Sequence, residues 1–304
     1  MLRTNERTAK LARRLYDGSA RALSASVSEH AGHWYVVSFG CDVHRPEPNL
    51  PTGLAVGVDL GVKRLAVLSD GEVVENPAHL SRYARRMARL QRQCSRRRGP
   101  GNGTPASGRW RRSKAKLARA HVRVANARAD GLHKLSTRLA KTYGTVVVEN
   151  LAVKAMTASA KGSGHWRGKA GLNRSVLDAS PAELRRQLTY KCTWYGSKLV
   201  VADRWYPSSK RCSRCGFVKT KLALSERTFH CEHCGLVIDR DANAAANLAG
   251  LVKATTGTAS GAGTSRGKAT ANAQGEEKFM PPGRCSSLNC EDSTGQLGRT
   301  VTAV

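Results

Sequence analysis

The sequence predicts a mixed α/β protein with a small metal-bound ribbon inserted late in the chain and an unstructured end. Three observations carry that prediction. Short apolar runs alternate with longer helical stretches, two CxxC pairs stand close together near residue 220, and large apolar residues become scarce after about Ala254.

The elements follow in order. The opening stretch MLRTNERTAKLARRLYDG is basic and amphipathic, without the apolar core of a secretory signal, which favours the cytoplasm. Ala22 to Val43 alternates like a two-stranded hairpin turning at Ala31-Gly32, and Arg45 to Gly53 is a proline-rich linker. LAVGVDLGVKRLAVLSDGEVVEN then supplies three short strands with turns at Gly61 and Asp70-Gly71. Two basic segments follow, read as helices broken by the Gly/Pro/Ser stretch from Gly99 to Gly108. Thr145 to Asn150 is a buried strand, the segment from Leu172 to Gly196 carries a helix with Leu184, Leu188 and Tyr195 on one face, and Lys198 to Trp205 is another strand. A last helix starts at Asp241. Beyond about Ala254 the Thr, Ala, Gly and Ser content predicts a disordered tail.

Cys212/Cys215 and Cys231/Cys234 form two CxxC pairs with fifteen residues between them, a spacing that lets two knuckles deliver four thiolates to one tetrahedral zinc. Each pair is followed by glycine, Gly216 and Gly235, which can take the positive φ that turns backbone amides toward the sulfurs. Four thiolates leave no open coordination position, so the zinc is structural. The other five cysteines, Cys41, Cys94, Cys192, Cys285 and Cys290, read as reduced thiols.

Charge points to the partner. Lys and Arg number 51 against 22 Asp and Glu, a formal charge of +29 on 304 residues. The stretch from Arg82 to Arg128 alone carries sixteen Lys/Arg and no acid, whereas a solvated helix face interleaves Glu with Lys. A polyanion, nucleic acid, is the expected partner. A membrane is not: the basic helices lack a broad aromatic and leucine face, and no apolar run is long enough to span.

Three acids carry the chemistry. Asp59 ends the apolar run LAVGVD, Glu149 ends TVVVE, and Asp241 opens the helix DANAAANL. A carboxylate at the end of a buried strand is costly unless paired or bound to metal. Three carboxylates from two strands and a helix start can converge on a pair of divalent ions, Mg²⁺ or Mn²⁺, that hydrolyse a phosphodiester. Asp239, two residues earlier in DRD, is the rival to Asp241; the latter is preferred because it sits at the helix start, with Asn243 and Asn247 following on that helix.

With these residues in place, GVDLG around Asp59, VVVENL around Glu149, the segment NRSVLDAS to TWYG, DRWYPSSKRCSRCG, FHCEHCG and DRDANAAANL resemble the TnpB-type transposon-encoded nucleases, also called OrfB transposases, and their relatives the miniature type V CRISPR effectors. The resemblance covers residues 1–252. It implies an RNase H-like, RuvC-type nuclease core with a mixed sheet and flanking helices, in which Asp59, Glu149 and Asp241 hold the catalytic ions. The expected organisation is 1–50 as the remnant of an N-terminal wedge β-barrel, 51–206 and 239–253 as the nuclease core, 207–238 as a zinc ribbon that binds target nucleic acid, and 254–304 as tail. Family members carry a helical recognition lobe before the first catalytic Asp, whereas only 58 residues precede Asp59 here, so the lobe is expected to be missing. The function implied is a Mg²⁺-dependent DNA endonuclease of a mobile element, tied to DNA transposition, with DNA as partner and a guide RNA in the full-length form. A non-cleaving nucleic-acid-binding protein, an inactive truncated remnant and a structure-selective nuclease such as a junction resolvase are the alternatives.

Overall fold

The computed structural model describes residues 9–30, 33–43, 54–101, 103–159, 166–223, 225–256 and 300–302. The chain divides into two units, Met1–Pro46 together with Ala262–Val304, and Glu47–Gly261.

The first unit holds a helix, α1 (Ala9–Tyr16), and two long strands, β1 (Ala20–His30) and β2 (His33–Val43), paired antiparallel from Ala20↔Val43 to His30↔His33. This is the expected hairpin; its turn residues, the linker from Arg45 to Gly53 and Cys285 and Cys290 lie outside the described residues. The tail departs from expectation at its end. Thr300–Thr302 pairs antiparallel with β1, placing Val301 opposite Val27. Alternating β-branched residues suit such an edge, whatever the composition of the stretch before them. Residues 257–299 lie outside the described set.

In the second unit, β3 (Ala55–Leu60), β4 (Arg64–Leu68) and β5 (Val73–Glu75) form an antiparallel meander. Two basic helices, α2 (His79–Ser95) and α3 (Gly108–Thr142), lead to β6 (Thr145–Val148) and a short α4 (Val153–Met156). Then come α5 (Trp166–Ala179), α6 (Pro181–Tyr195) and β7 (Lys198–Val201). The ribbon strands β8 (Thr228–His230) and β9 (Val237–Asp239) precede α7 (Arg240–Thr256), and β10 is the Thr300–Thr302 strand of the first unit.

The five-stranded sheet runs β5-β4-β3-β6-β7, with β3, β6 and β7 parallel and the β4 and β5 edge antiparallel. Its central strands are apolar on both faces because both are covered. On one face Val56, Val58, Val146 and Val148 pack with Leu132, Leu135 and Leu139 of α3 and Leu184 and Leu188 of α6. On the other, Val147 packs with Leu248 of α7. The pleat produces this division, since successive side chains point to opposite faces.

One helix expected between Leu172 and Gly196 is two. Ser180 adopts a left-handed conformation, φ 51°, and Pro181 starts α6, so the chain turns between α5 and α6. Leu184 and Leu188 are buried as expected, with Tyr195 packed against the same core. β7 stops at Val201, short of the expected Trp205, and α7 starts one residue before Asp241. The basic helices α2 and α3 pack through Met87, Leu90, Leu117, Ala120 and Val124, which leaves Arg82, Arg85, Arg86, Arg89 and Arg92 exposed. Buried Asp178 ties the pair down: it accepts from the Leu80 amide at 3.0 Å, at the start of α2, and from Arg128 at 2.8 Å.

Candidate metal and nucleic-acid site

Asp59 lies in β3, Glu149 directly follows β6, and Asp241 lies in the first turn of α7. Val58 stands opposite Val148 in the parallel register, so the next residues along, Asp59 and Glu149, stand level at the same end of the sheet. Because Val58 and Val148 face α3 and α6, alternation gives both acids the α7 side. The helix comes close there. Gly57 has no side chain to keep α7 away: a β-carbon on it would lie 2.0 Å from the Ala245 carbonyl oxygen and 2.5 Å from the Ala249 amide nitrogen. Asp241 is one helical turn before Ala245 on the same face, and Asp59 is the next residue on the Gly57 face of β3. The close packing at Gly57 therefore carries Asp241 toward Asp59.

The electrostatics reflect that convergence. Burial and the Glu149 and Asp241 carboxylates push the Asp59 carboxyl up to about 8, with the Arg240 charge opposing them. Asp241 acts on Asp59 more strongly than Asp239 does. Asp239 is otherwise engaged. It accepts from the Asp241 and Ala242 amides at 3.0 and 3.2 Å, capping α7, and from Arg64 at 3.1 Å. Against burial, these contacts hold its carboxyl below the usual range. Asp241 pairs with Arg240 Nε at 3.4 Å. Glu149 accepts a hydrogen bond from the buried Ser208 hydroxyl.

The four cysteines lie closer together. Their sulfurs all fall within 4.8 Å of one another, and among the described residues they alone form such a metal-compatible group; the three acids are spread more widely. Sγ–Sγ separations of 3.6 Å for Cys212–Cys234 and Cys215–Cys231 approach the ~3.8 Å edge of a tetrahedron with 2.3 Å metal–sulfur bonds. Gly216 and Gly235 have φ of 78° and 69°, and their amides donate to the Cys212 and Cys231 carbonyls at 2.9 and 3.0 Å, closing the two matching knuckles. Burial opposes ionisation of Cys231, but the Cys234 and His233 amides and the neighbouring thiols outweigh it and bring this thiol down to about 6. The shift is shared unevenly within the group: against the Phe217 amide, burial and the other three thiols push Cys215 up to about 12, so the fit to a cation rests on the sulfur geometry.

The ribbon is fastened to α7. Asn243, fully buried, accepts from the Ser213 amide at 3.0 Å and donates to the Arg211 carbonyl at 2.7 Å. Asn247 donates to the carbonyls of Ser208 and Arg211 at 2.8 and 2.6 Å. One helix thus carries Asp241 and grips the chain just before and within the first knuckle, while Ser208 reaches across to Glu149. Sequence reasoning placed both asparagines on α7 without a role, and did not single out Gly57 or Ser208. A glycine inside a buried strand is a signal of close backbone approach; a serine in an SSK turn carries none.

Residues 38–160 match the family described as "Probable transposase" (OrfB_IS605), and residues 182–248 match the "Cas12f1-like, TNB domain". The chain is 42% identical over 231 residues to a Streptomyces pristinaespiralis protein named "Putative RNA-guided DNA endonuclease", covering 75% of this chain and 53% of that one. It is 37% identical over 230 residues to "Putative RNA-guided DNA endonuclease InsQ" of Escherichia coli, covering 74% of this chain and 55% of the relative. The chain therefore spans about half the length of these relatives. A Cas12f1–sgRNA–target DNA complex aligns with 73% of this chain and 55% of its own at 19% identity and a TM-score of 0.44.

Proposed function

The chain belongs to the TnpB-type (OrfB) family, and we propose that it is a Mg²⁺- or Mn²⁺-dependent DNA endonuclease with a RuvC-type, RNase H-like core. The observation that carries this reading is the convergence of Asp59, Glu149 and Asp241 from β3, β6 and α7. At neutral pH burial and the neighbouring carboxylates hold a proton on Asp59, a cost that a cation relieves. Bound divalent ions would supply the charge that activates water and stabilises the leaving oxygen of a phosphodiester. The chain's own part is positional: the Ser208 hydroxyl orients Glu149, and Asp239 caps the helix start that presents Asp241.

Cys212, Cys215, Cys231 and Cys234 fit one structural zinc, and the ribbon from 207 to 238 is the proposed target-binding part. The exposed arginines of α2 and α3 would neutralise nucleic-acid phosphates. Relatives bear names that include RNA guidance, and the same dependence is proposed here, as is a tie to transposition. Among the described residues, no helix is long and apolar enough to cross a membrane. Cleavage of DNA in Mg²⁺ by the parent chain, lost in Asp59→Ala, tests the proposal. Cleavage that persists in Asp59→Ala would exclude this site.

A further inference from the structure

Past the end of β7 the chain turns through Asp203–Trp205, and the Trp205 side chain is 81% exposed. The turn is held on both sides. The Asp203 carboxylate accepts from the Trp205 amide at 2.8 Å, and the Tyr206 amide donates to the Asp203 carbonyl at 3.1 Å. Tyr206 packs with Val147 and Leu248, and its hydroxyl donates to the Asn247 carbonyl at 3.2 Å. The indole is therefore presented by a fixed turn, and the Arg204 guanidinium lies 5.2 Å from its ring centroid. Leaving so large an apolar surface in water is unfavourable unless something covers it.

Its surroundings indicate what does. Three residues further on, Ser208 donates to Glu149, which puts this turn beside the acid cluster. From Arg204 to Ser225 the chain has six Lys/Arg and no acid. A flat aromatic face backed by a guanidinium in a basic stretch takes a ligand that is both planar and anionic. A base inside a duplex already stacks on its neighbours, so the matching ligand is an unpaired one.

We propose that Trp205 and Arg204 form a stacking platform for an unpaired base of single-stranded DNA, holding the strand next to the acids. This rests on the nuclease reading above.

The test measures binding of an oligo-dT strand and of an abasic strand of equal length and charge. The full chain carries Asp59→Ala so that nothing is cut. The protein with Trp205 should prefer oligo-dT. Trp205→Ala should weaken oligo-dT binding by about tenfold and leave abasic binding unchanged, while Trp205→Phe keeps most of the preference. Equal losses on both strands, or no loss, would overturn the platform, as would the absence of any preference in the protein with Trp205, a comparison that does not depend on a variant folding. The nuclease reading fails separately: an unmutated chain that never cleaves would remove it while leaving a base-dependent Trp205 effect in place.

Discussion

Gly57 of β3 and Ala245 of α7 meet backbone to backbone: a β-carbon at position 57 would lie 2.0 Å from the Ala245 carbonyl oxygen. No rotamer relieves such a contact, because both partners are main chain. The strand that bears Asp59 and the helix that bears Asp241 are joined here, one strand repeat and one helical turn from the acids.

Gly57→Ala should therefore push α7 away from the sheet. We expect destabilisation of about 3 kcal/mol or more, at or beyond the upper end of ordinary overpacking, because neither backbone can yield as a side chain does. Binding of Mn²⁺, followed by electron paramagnetic resonance in the fraction that remains folded, should weaken as Asp241 moves from Asp59. An unchanged melting temperature would show that the helix does not pack as described.

Zinc should be present at one ion per chain by elemental analysis. Cys212→Ser or Cys231→Ser should lose it and lower the melting temperature, since ligation by thiolates contributes directly to folding of a ribbon with so small a core. The effect should extend beyond the ribbon, because Asn243 and Asn247 bind the first knuckle to α7. A zinc-free protein with an unaltered melting profile would contradict this.

The raised Asp59 carboxyl sets a pH dependence. In the folded chain without divalent cations it holds its proton up to about 8, whereas in the unfolded chain it releases it near the ordinary value of 3.8. Between those values the folded state binds more protons, so stability falls as pH rises and the fall ends above about 8. Melting curves from pH 6 to 9 should show this decline in the parent, a flatter profile in Asp59→Asn, and recovery on adding Mg²⁺. A decline of equal slope in Asp59→Asn would place its origin elsewhere.

Binding to nucleic acid should depend steeply on salt. Changing Arg82, Arg85, Arg86 and Arg89 of α2 to Gln should weaken binding to all sequences alike and reduce the slope of log affinity against log salt by about 3 to 4. Loss confined to one sequence would make these side chains base readers.

Much of the site was legible because its parts obey local rules. Asp59 and Glu149 each end an apolar run, and strand alternation sends both to one face; the cysteine spacing and its glycines set out both knuckles. Pro181 marks the break between α5 and α6, whereas Leu184, Leu188 and Tyr195 all follow it and report only on the second helix. What sequence could not supply was contact between distant segments. Ser208 lies 59 residues from Glu149, and nothing in its neighbours indicates that it is buried against a carboxylate. The tail showed the converse, since composition over a long window hid the alternation of Thr300–Thr302 that pairs with β1.

Whether Asp59, Glu149 and Asp241 act as one site is tested by Mg²⁺-dependent DNA cleavage by the parent, the three single alanine variants, the triple variant and Asp239→Ala. Each single loss should abolish cleavage nearly as completely as the triple, with zinc content and DNA binding retained, because no neighbouring oxygen replaces a missing ligand. Asp239→Ala should cost about 1 kcal/mol of stability through the lost helix cap and still cleave. Parent-level cleavage by Asp241→Ala would exclude Asp241 from the site and break the three-acid unit.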